Sequence, residues 1–168
     1  MKTADTYAPS FYDKKVYEIN RDLNWLGWIE HIHPVADVGV DEEGTFPEVY
    51  MNDGTKKSIR ILPSGNSLSF FEVNEIDQID ETEFFGVNLS IVVWADLTKV
   101  YPSKTYNYRS ELIKDIKGVL DGHSAYDMSV QVKDVFSEYS QLEKINNQNT
   151  MLPYTAFRIT FTVNLLTC

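Results

Sequence analysis

The chain has 168 residues, 43% of them apolar, with ten tyrosines, nine phenylalanines and three tryptophans, a size and composition that predict one domain with a well-buried core. Fifteen basic against twenty-five acidic residues leave a formal charge of −10, a field that repels nucleic-acid phosphate and speaks against a dedicated DNA reader. No run of roughly 18 apolar residues encodes a membrane helix, MKTADTYAPSFYDKK lacks the apolar core of a secretory signal, and the only cysteine, Cys168, excludes an internal disulfide or a cysteine-built zinc site; a cytosol-like compartment is expected.

Met1 to Asp13 has no periodicity, but Tyr7, Phe11 and Tyr12 beside Pro9 make it too aromatic for a simple disordered tail and suggest an arm that docks on another surface. Val16, Ile19, Leu23 and Leu26 then recur at threes and fours, predicting an amphipathic helix over about Asp13 to Leu23 with Asp13 as its cap. Trp25, Leu26, Trp28 and Ile29, interrupted by Gly27, are too densely apolar for a surface and predict a short turn plugging an edge of the core. Pro34 is expected to end this helical region.

Ala36 to Glu43 alternates weakly through Val38 and Val40 before an acidic turn at Asp41 to Gly44. A strand follows over about Thr45 to Met51, where Pro47 indicates an edge position or a bulge. Asn52-Asp53-Gly54 is a turn signal, and Lys57 to Leu62 returns to complete a hairpin. Leu68 to Val73 is another short apolar run, and Asn74 to Glu83 reads as an acidic loop.

Phe84 to Leu97 is the longest apolar run. Phe85, Val87, Leu89, Ile91 and Val93 take one face, and Phe84, Gly86, Asn88, Ser90, Val92 and Trp94 the other, which is the period-two signature of a central strand. Thr155 to Leu165 shows the same alternation and is the natural antiparallel partner, with one face on a core and one touching water or another subunit. Thr98 to Asn107 reads as a connection or a partly extended excursion, and Tyr101, Tyr106 and Tyr108 cluster ahead of the next helix. That helix, about Tyr108 to Leu120, carries the stripe Leu112, Ile113, Ile116, Val119 and Leu120; Asn107 is its candidate cap and Gly122 its candidate left-handed terminator. Met128 to Phe136 reads as a strand, Ser137 to Ile145 as either helical turn or strand, and Asn146 to Asn149 as a polar loop. The expected fold is α+β, a mostly antiparallel sheet with helices packed on one face, and the expected core includes Leu89, Ile91, Val93, Leu112, Ile116, Leu120, Phe157, Ile159 and Phe161.

Residue types that carry chemistry are sparse. His31 and His33 would share a face of a strand, but a metal site needs further ligands, which would have to be carboxylates such as Glu30, Asp37 or Asp121. Near a helix end these histidines instead suit the last carbonyls. No nucleophile elbow or phosphate-binding loop is encoded, so no catalytic residue, metal or cofactor is expected. The acidic residues at Asp41 to Glu43 and from Glu72 to Glu83 form a solvated surface or, alternatively, a lining past which DNA slides.

The strings Phe46-Pro47-Glu48-Val49-Tyr50, Phe84 to Trp94, the helix Glu111 to Leu120 and Pro153 to Phe161, in this order, resemble the neck and tail-completion proteins of tailed bacteriophages, tail terminators among them, including those of crAss-like and related gut-bacterial phages. The resemblance implies a virion structural protein without enzymatic activity. It would form a homo-oligomeric ring at the head–tail junction, assembled in the host cytoplasm, meeting portal or connector and tail proteins while genomic DNA passes through the lumen without specific binding. Membrane association is not implied. Aromatic arms and hairpin tips suit such contacts, which makes Tyr7, Phe11, Tyr12, Asn52, Asp53, Tyr101, Tyr106 and Tyr108 the candidate oligomer-interface residues. The alternative is a small binding module or enzyme with a cleft near Trp25, Trp28 and His31.

Overall fold

A computed structural model describes residues 11–50, 54–59, 65–78, 84–142 and 153–166. The chain is α+β: α1 (Phe11–Asn24), β1 (His31–Asp41), β2 (Gly44–Tyr50), β3 (Lys56–Ser58), β4 (Ser67–Gln78), β5 (Phe84–Asp96), α2 (Leu97–Val100), α3 (Arg109–Gly122), β6 (Tyr126–Gln131), a 3₁₀ turn at Ser140–Leu142 and β7 (Tyr154–Leu166). The strands form a seven-stranded sheet in the order β3-β2-β1-β4-β5-β7-β6. Every neighbouring pair is antiparallel except β1 with β4.

β5 and β7 pair over their whole lengths, with Ile91 opposite Ile159 and Leu89 opposite Phe161. This register puts Val87, Leu89, Ile91, Val93, Phe157, Ile159, Phe161 and Val163 on one face, all completely buried. α1 covers that face with Val16, Ile19 and Leu23, and α3 with Leu112, Ile116 and Leu120. Each such side chain contributes about 1.5–3 kcal/mol on leaving water, so the helices are held by their stripes rather than by intrinsic propensity. The two helices are also joined directly: His123 Nε2 lies 2.6 Å from Asp22 Oδ2, a contact that holds the Asp22 carboxyl below its usual range.

The mixed face is not left wholly to water. Val92, Trp94 and Ala156 form a second core with Leu68 and Phe70, roofed by Val135, Phe136, Tyr139 and Leu142 and flanked by Ala36, Val49 and Ile59. The roof is fastened to the β1–β2 turn, where Thr45 N donates to Ser140 Oγ at 2.8 Å and Gln141 Nε2 to Asp41 Oδ1 at 2.7 Å. Farther along, the face becomes a polar ladder. Asn74 Nδ2 donates to Asn88 Oδ1 and Ser90 Oγ, both at 2.9 Å, and Asn88 Nδ2 to Thr162 Oγ1 at 3.1 Å.

Several expectations are corrected. The helical region does not run to Pro34: β1 starts at His31 and passes through the proline, which lies at the register irregularity between the Ile32 and Val35 pairs, where its missing N–H removes a ladder bond. Trp25 does not plug the core; after α1 the chain turns through Gly27 at φ +77°, which sends Trp28 inward and leaves Trp25 85% exposed. The acidic stretch after Val73 is not loop but strand as far as Gln78, because β5 supplies a ladder partner beyond a bulge at Asn74. β6 ends at Gln131 rather than Phe136, as Asp134 at φ +53° turns the chain so that Val135 and Phe136 are both buried. Ser124, not Gly122, takes the left-handed position after α3 (φ +58°), with Ser124 N bonded to Asp121 O and Ala125 N to Leu120 O in the Schellman pattern. Asn107 does act at the start of α3, accepting from Arg109 N at 3.0 Å.

α1 begins at Phe11, so the end of the expected arm is helix. Pro47 lies on a strand with neighbours on both sides rather than at an edge, but its carbonyl accepts from Ile59 N at 2.8 Å beyond the end of the β3 ladder. Its missing N–H points to that same side, so the reciprocal bond to the Ile59 carbonyl cannot form and the β3 ladder stops at Glu48 and Ser58. The return strand of the hairpin is limited to Lys56–Ser58; Leu62 lies outside the described residues.

Candidate functional site

The sheet opens between β1 and β4. His31, Ile32 and Val35 of β1 pair with Leu68, Ser69 and Phe71 of β4, but from Ala36 onward β1 pairs only with β2, and β4 from Glu72 onward only with β5. Between them lies a cleft of about 180 Å³ lined by Val35, Ala36, Asp37, Val38, Glu72, Val73, Asn74, Glu138 and Tyr139. Pro34 disturbs the register just before the strands part, its missing N–H removing a ladder bond.

The floor of the cleft is a buried ionic cluster. Arg158 Nη1 donates to Glu72 Oε2, and Nη2 donates to Glu72 Oε1 at 3.3 Å and to the Val135 carbonyl at 3.0 Å. The Tyr139 hydroxyl donates to Glu72 Oε1, and Glu138 Oε1 stands 3.9 Å from Arg158. Burial, together with the adjacent Glu72 charge, pushes the Tyr139 hydroxyl far above its ordinary value, so it stays protonated and donating. Glu72 is thereby supplied with donors from two side chains, while Asp37 and Glu138 at the rim remain exposed. The arrangement is built to hold a sheet together beneath a mouth that attracts cations.

The tyrosines ahead of α3 pack mostly on one another. Tyr101 and Tyr108 have ring centroids 5.6 Å apart, and Tyr106 and Tyr108 6.2 Å apart. Lys104 Nζ sits 4.7 Å from the Tyr101 centroid. Tyr108 is completely buried, its hydroxyl donating to the Leu97 carbonyl and accepting from Tyr101 N at 2.9 Å. It therefore presents no surface to a neighbour, which corrects its assignment as an interface residue; Tyr106, 55% exposed, does present one. Phe11 and Tyr12 lie in the first turn of α1. Tyr7, Asn52 and Asp53 lie outside the described residues.

Trp25, Trp28 and His31 do not converge on a cleft. Trp28 is buried and donates through Nε1 to Asp115 Oδ2 at 3.1 Å, Trp25 faces solvent, and His31 lies on β1 with its ring stacked on His33 at 6.4 Å and Nε2 3.2 Å from Glu30 Oε1. The larger hollow, about 690 Å³, lies along α3 between Leu26, Tyr101, Lys104, Glu111, Asp115 and Gly118. His33 is half-buried, and that burial, helped by Lys57 and His31, lowers its pKa to about 4. Among the described residues no group of His, Cys, Asp and Glu side chains is arranged to hold a metal ion, and no helix is long and apolar enough to cross a membrane.

The cleft between β1 and β4 was missed in the sequence, although both acidic stretches that border it are conspicuous there. No protein-family model matches the chain, and no curated protein matches it.

Proposed function

We propose that this protein is a structural subunit of a tailed-bacteriophage particle, forming a homo-oligomeric ring at the head–tail junction between portal or connector and tail proteins, with the genome passing through its lumen. The observation that carries the reading is the exposure of large apolar side chains on separate parts of the domain. Trp25 is 85% exposed, Val40 74% and Tyr17 70%. Tryptophan and tyrosine are the side chains that most often anchor interfaces, and two dissimilar patches on one chain suit a head-to-tail contact that hides both when a ring closes. The outer strands β3 and β6 of the sheet add edges by which copies can join. The resemblance of the sequence strings, in their order, to neck and tail-completion proteins supports the same reading, and the formal charge of −10 suits a channel to which DNA must not adhere.

The test is microscopy of particles together with one substitution. Electron microscopy of virions carrying a tagged copy is expected to place a ring between capsid and tail, and Trp25→Ala, at a solvent-facing position, is expected to reduce incorporation while leaving the melting temperature of the isolated protein unchanged. Purified particles that lack the protein would refute the reading.

A further inference from the structure

Where β1 and β4 part, each strand keeps a side that no strand pairs with among the described residues: Ala36–Asp41 on β1 and Glu72–Gln78 on β4. Sheet-interior backbone of this kind is a template for an added strand. The rim is acidic on both faces. Asp37 follows Val35 on the helix-covered face, and Glu138 stands over the opposite face beside Tyr139. Arg158, on the floor of the cleft, is already engaged by Glu72 and stands 3.9 Å from Glu138, whereas Asp37 is exposed and makes no ion pair among the described residues.

The same chain carries a counterpart. β3 is an outer strand with consecutive exposed lysines, Lys56 and Lys57. Lys56 lies 3.5 Å from Glu48, and Lys57 makes no ion pair among the described residues. Successive strand residues point to opposite faces, so an edge entering the cleft brings one ammonium to Asp37 and the other to Glu138. We infer that the cleft between β1 and β4 of one copy receives the β3 edge of a second copy by strand addition, Lys56 and Lys57 meeting the carboxylates of Asp37 and Glu138. The inference rests on the ring reading and supplies it with a contact: cleft and edge are different surfaces of one chain, so the contact is heterologous and repeats from copy to copy.

Charge reversal separates the possibilities. Variant one is Asp37→Lys with Glu138→Lys, and variant two is Lys56→Glu with Lys57→Glu. All four positions are exposed, and thermal melting checks that each variant is folded; Asp37→Lys alone replaces variant one if Glu138→Lys disturbs Arg158. In sedimentation at low salt, and in incorporation into particles, each variant alone is expected to lose about tenfold to a hundredfold in self-association. Mixing the two in equal amounts should restore assembly, because both contacts then pair opposite charges. Folded variants that assemble or incorporate like the wild type, or a mixture that stays apart, would overturn the cleft contact and leave the ring reading standing. A wild-type chain that stays monomeric and is missing from particles would overturn the ring reading, and this contact with it.

Discussion

Arg158 of β7 and Glu72 of β4 meet across the intervening strand β5, Nη2 to Oε1 at 3.3 Å, with side chains 9% and 8% exposed. Both charges have left water, and each is tolerated because the other is present. Arg158→Met strands the Glu72 carboxylate with the Tyr139 hydroxyl as its remaining side-chain donor, and is expected to destabilise the fold by about 3–5 kcal/mol. Replacing both with Met is expected to recover most of that loss, since no uncompensated charge remains. Urea denaturation of the two single variants and the double variant measures this; a double variant as unstable as the sum of the singles would show that the two residues act independently and that neither charge depends on the other.

The turn after α3 offers a gain rather than a loss. Ser124 holds φ +58°, a conformation in which its Cβ crowds the backbone and glycine does not. Ser124→Gly is expected to stabilise the protein by about 0.5–1 kcal/mol, and Ser124→Val to destabilise it, with thermal melting as the readout. A fall in melting temperature for the glycine variant would mean that the serine hydroxyl makes a bond worth more than the strain.

His33 gives a pH dependence of defined sign. Its folded pKa is lowered from 6.5 to about 4 by burial, with Lys57 and His31 contributing. Between these values the unfolded chain binds a proton that the folded chain refuses, so stability falls as pH drops from 6.5 toward 4. Because the ring is only half-buried, the loss is no more than about 3 kcal/mol. Denaturation at pH 7 and pH 4.5 is expected to show a smaller acid loss for His33→Gln than for the wild type; equal losses would place the acid sensitivity in the carboxylates alone.

The parts of the fold that were legible in the sequence are those in which one chain segment decides its own burial. β5, β7 and α3 each carry a full period of apolar positions, and Leu89, Ile116 and Phe161 are buried as that period requires. β1 was not legible because tertiary partners decide it. Pro34 lies within it, and Gly39 is glycine because the Phe46 ring lies over it: an added Cβ would stand 2.6 Å from Phe46 Cε2. The roof over the second core has no period either, since a turn at Asp134 gathers Val135, Phe136 and Tyr139 onto one surface. As for the candidate site, its acidic residues were visible, but that β1 and β4 are the strands that face each other follows from a parallel pairing that no local pattern announces.

β7 follows every other described strand along the chain, yet it lies inside the sheet, between β5 and β6. Until residues 154–166 have been translated, β5 exposes a bare hydrogen-bonding edge 13 residues long, and β6 lacks its only strand neighbour among the described residues. A nascent chain can therefore bring α1 and the first five strands together but cannot finish either face of the sheet. The interval before β7 arrives is when an edge as apolar as β5 is most open to capture by another chain, so slower translation past residue 154 is expected to lower the yield of folded protein.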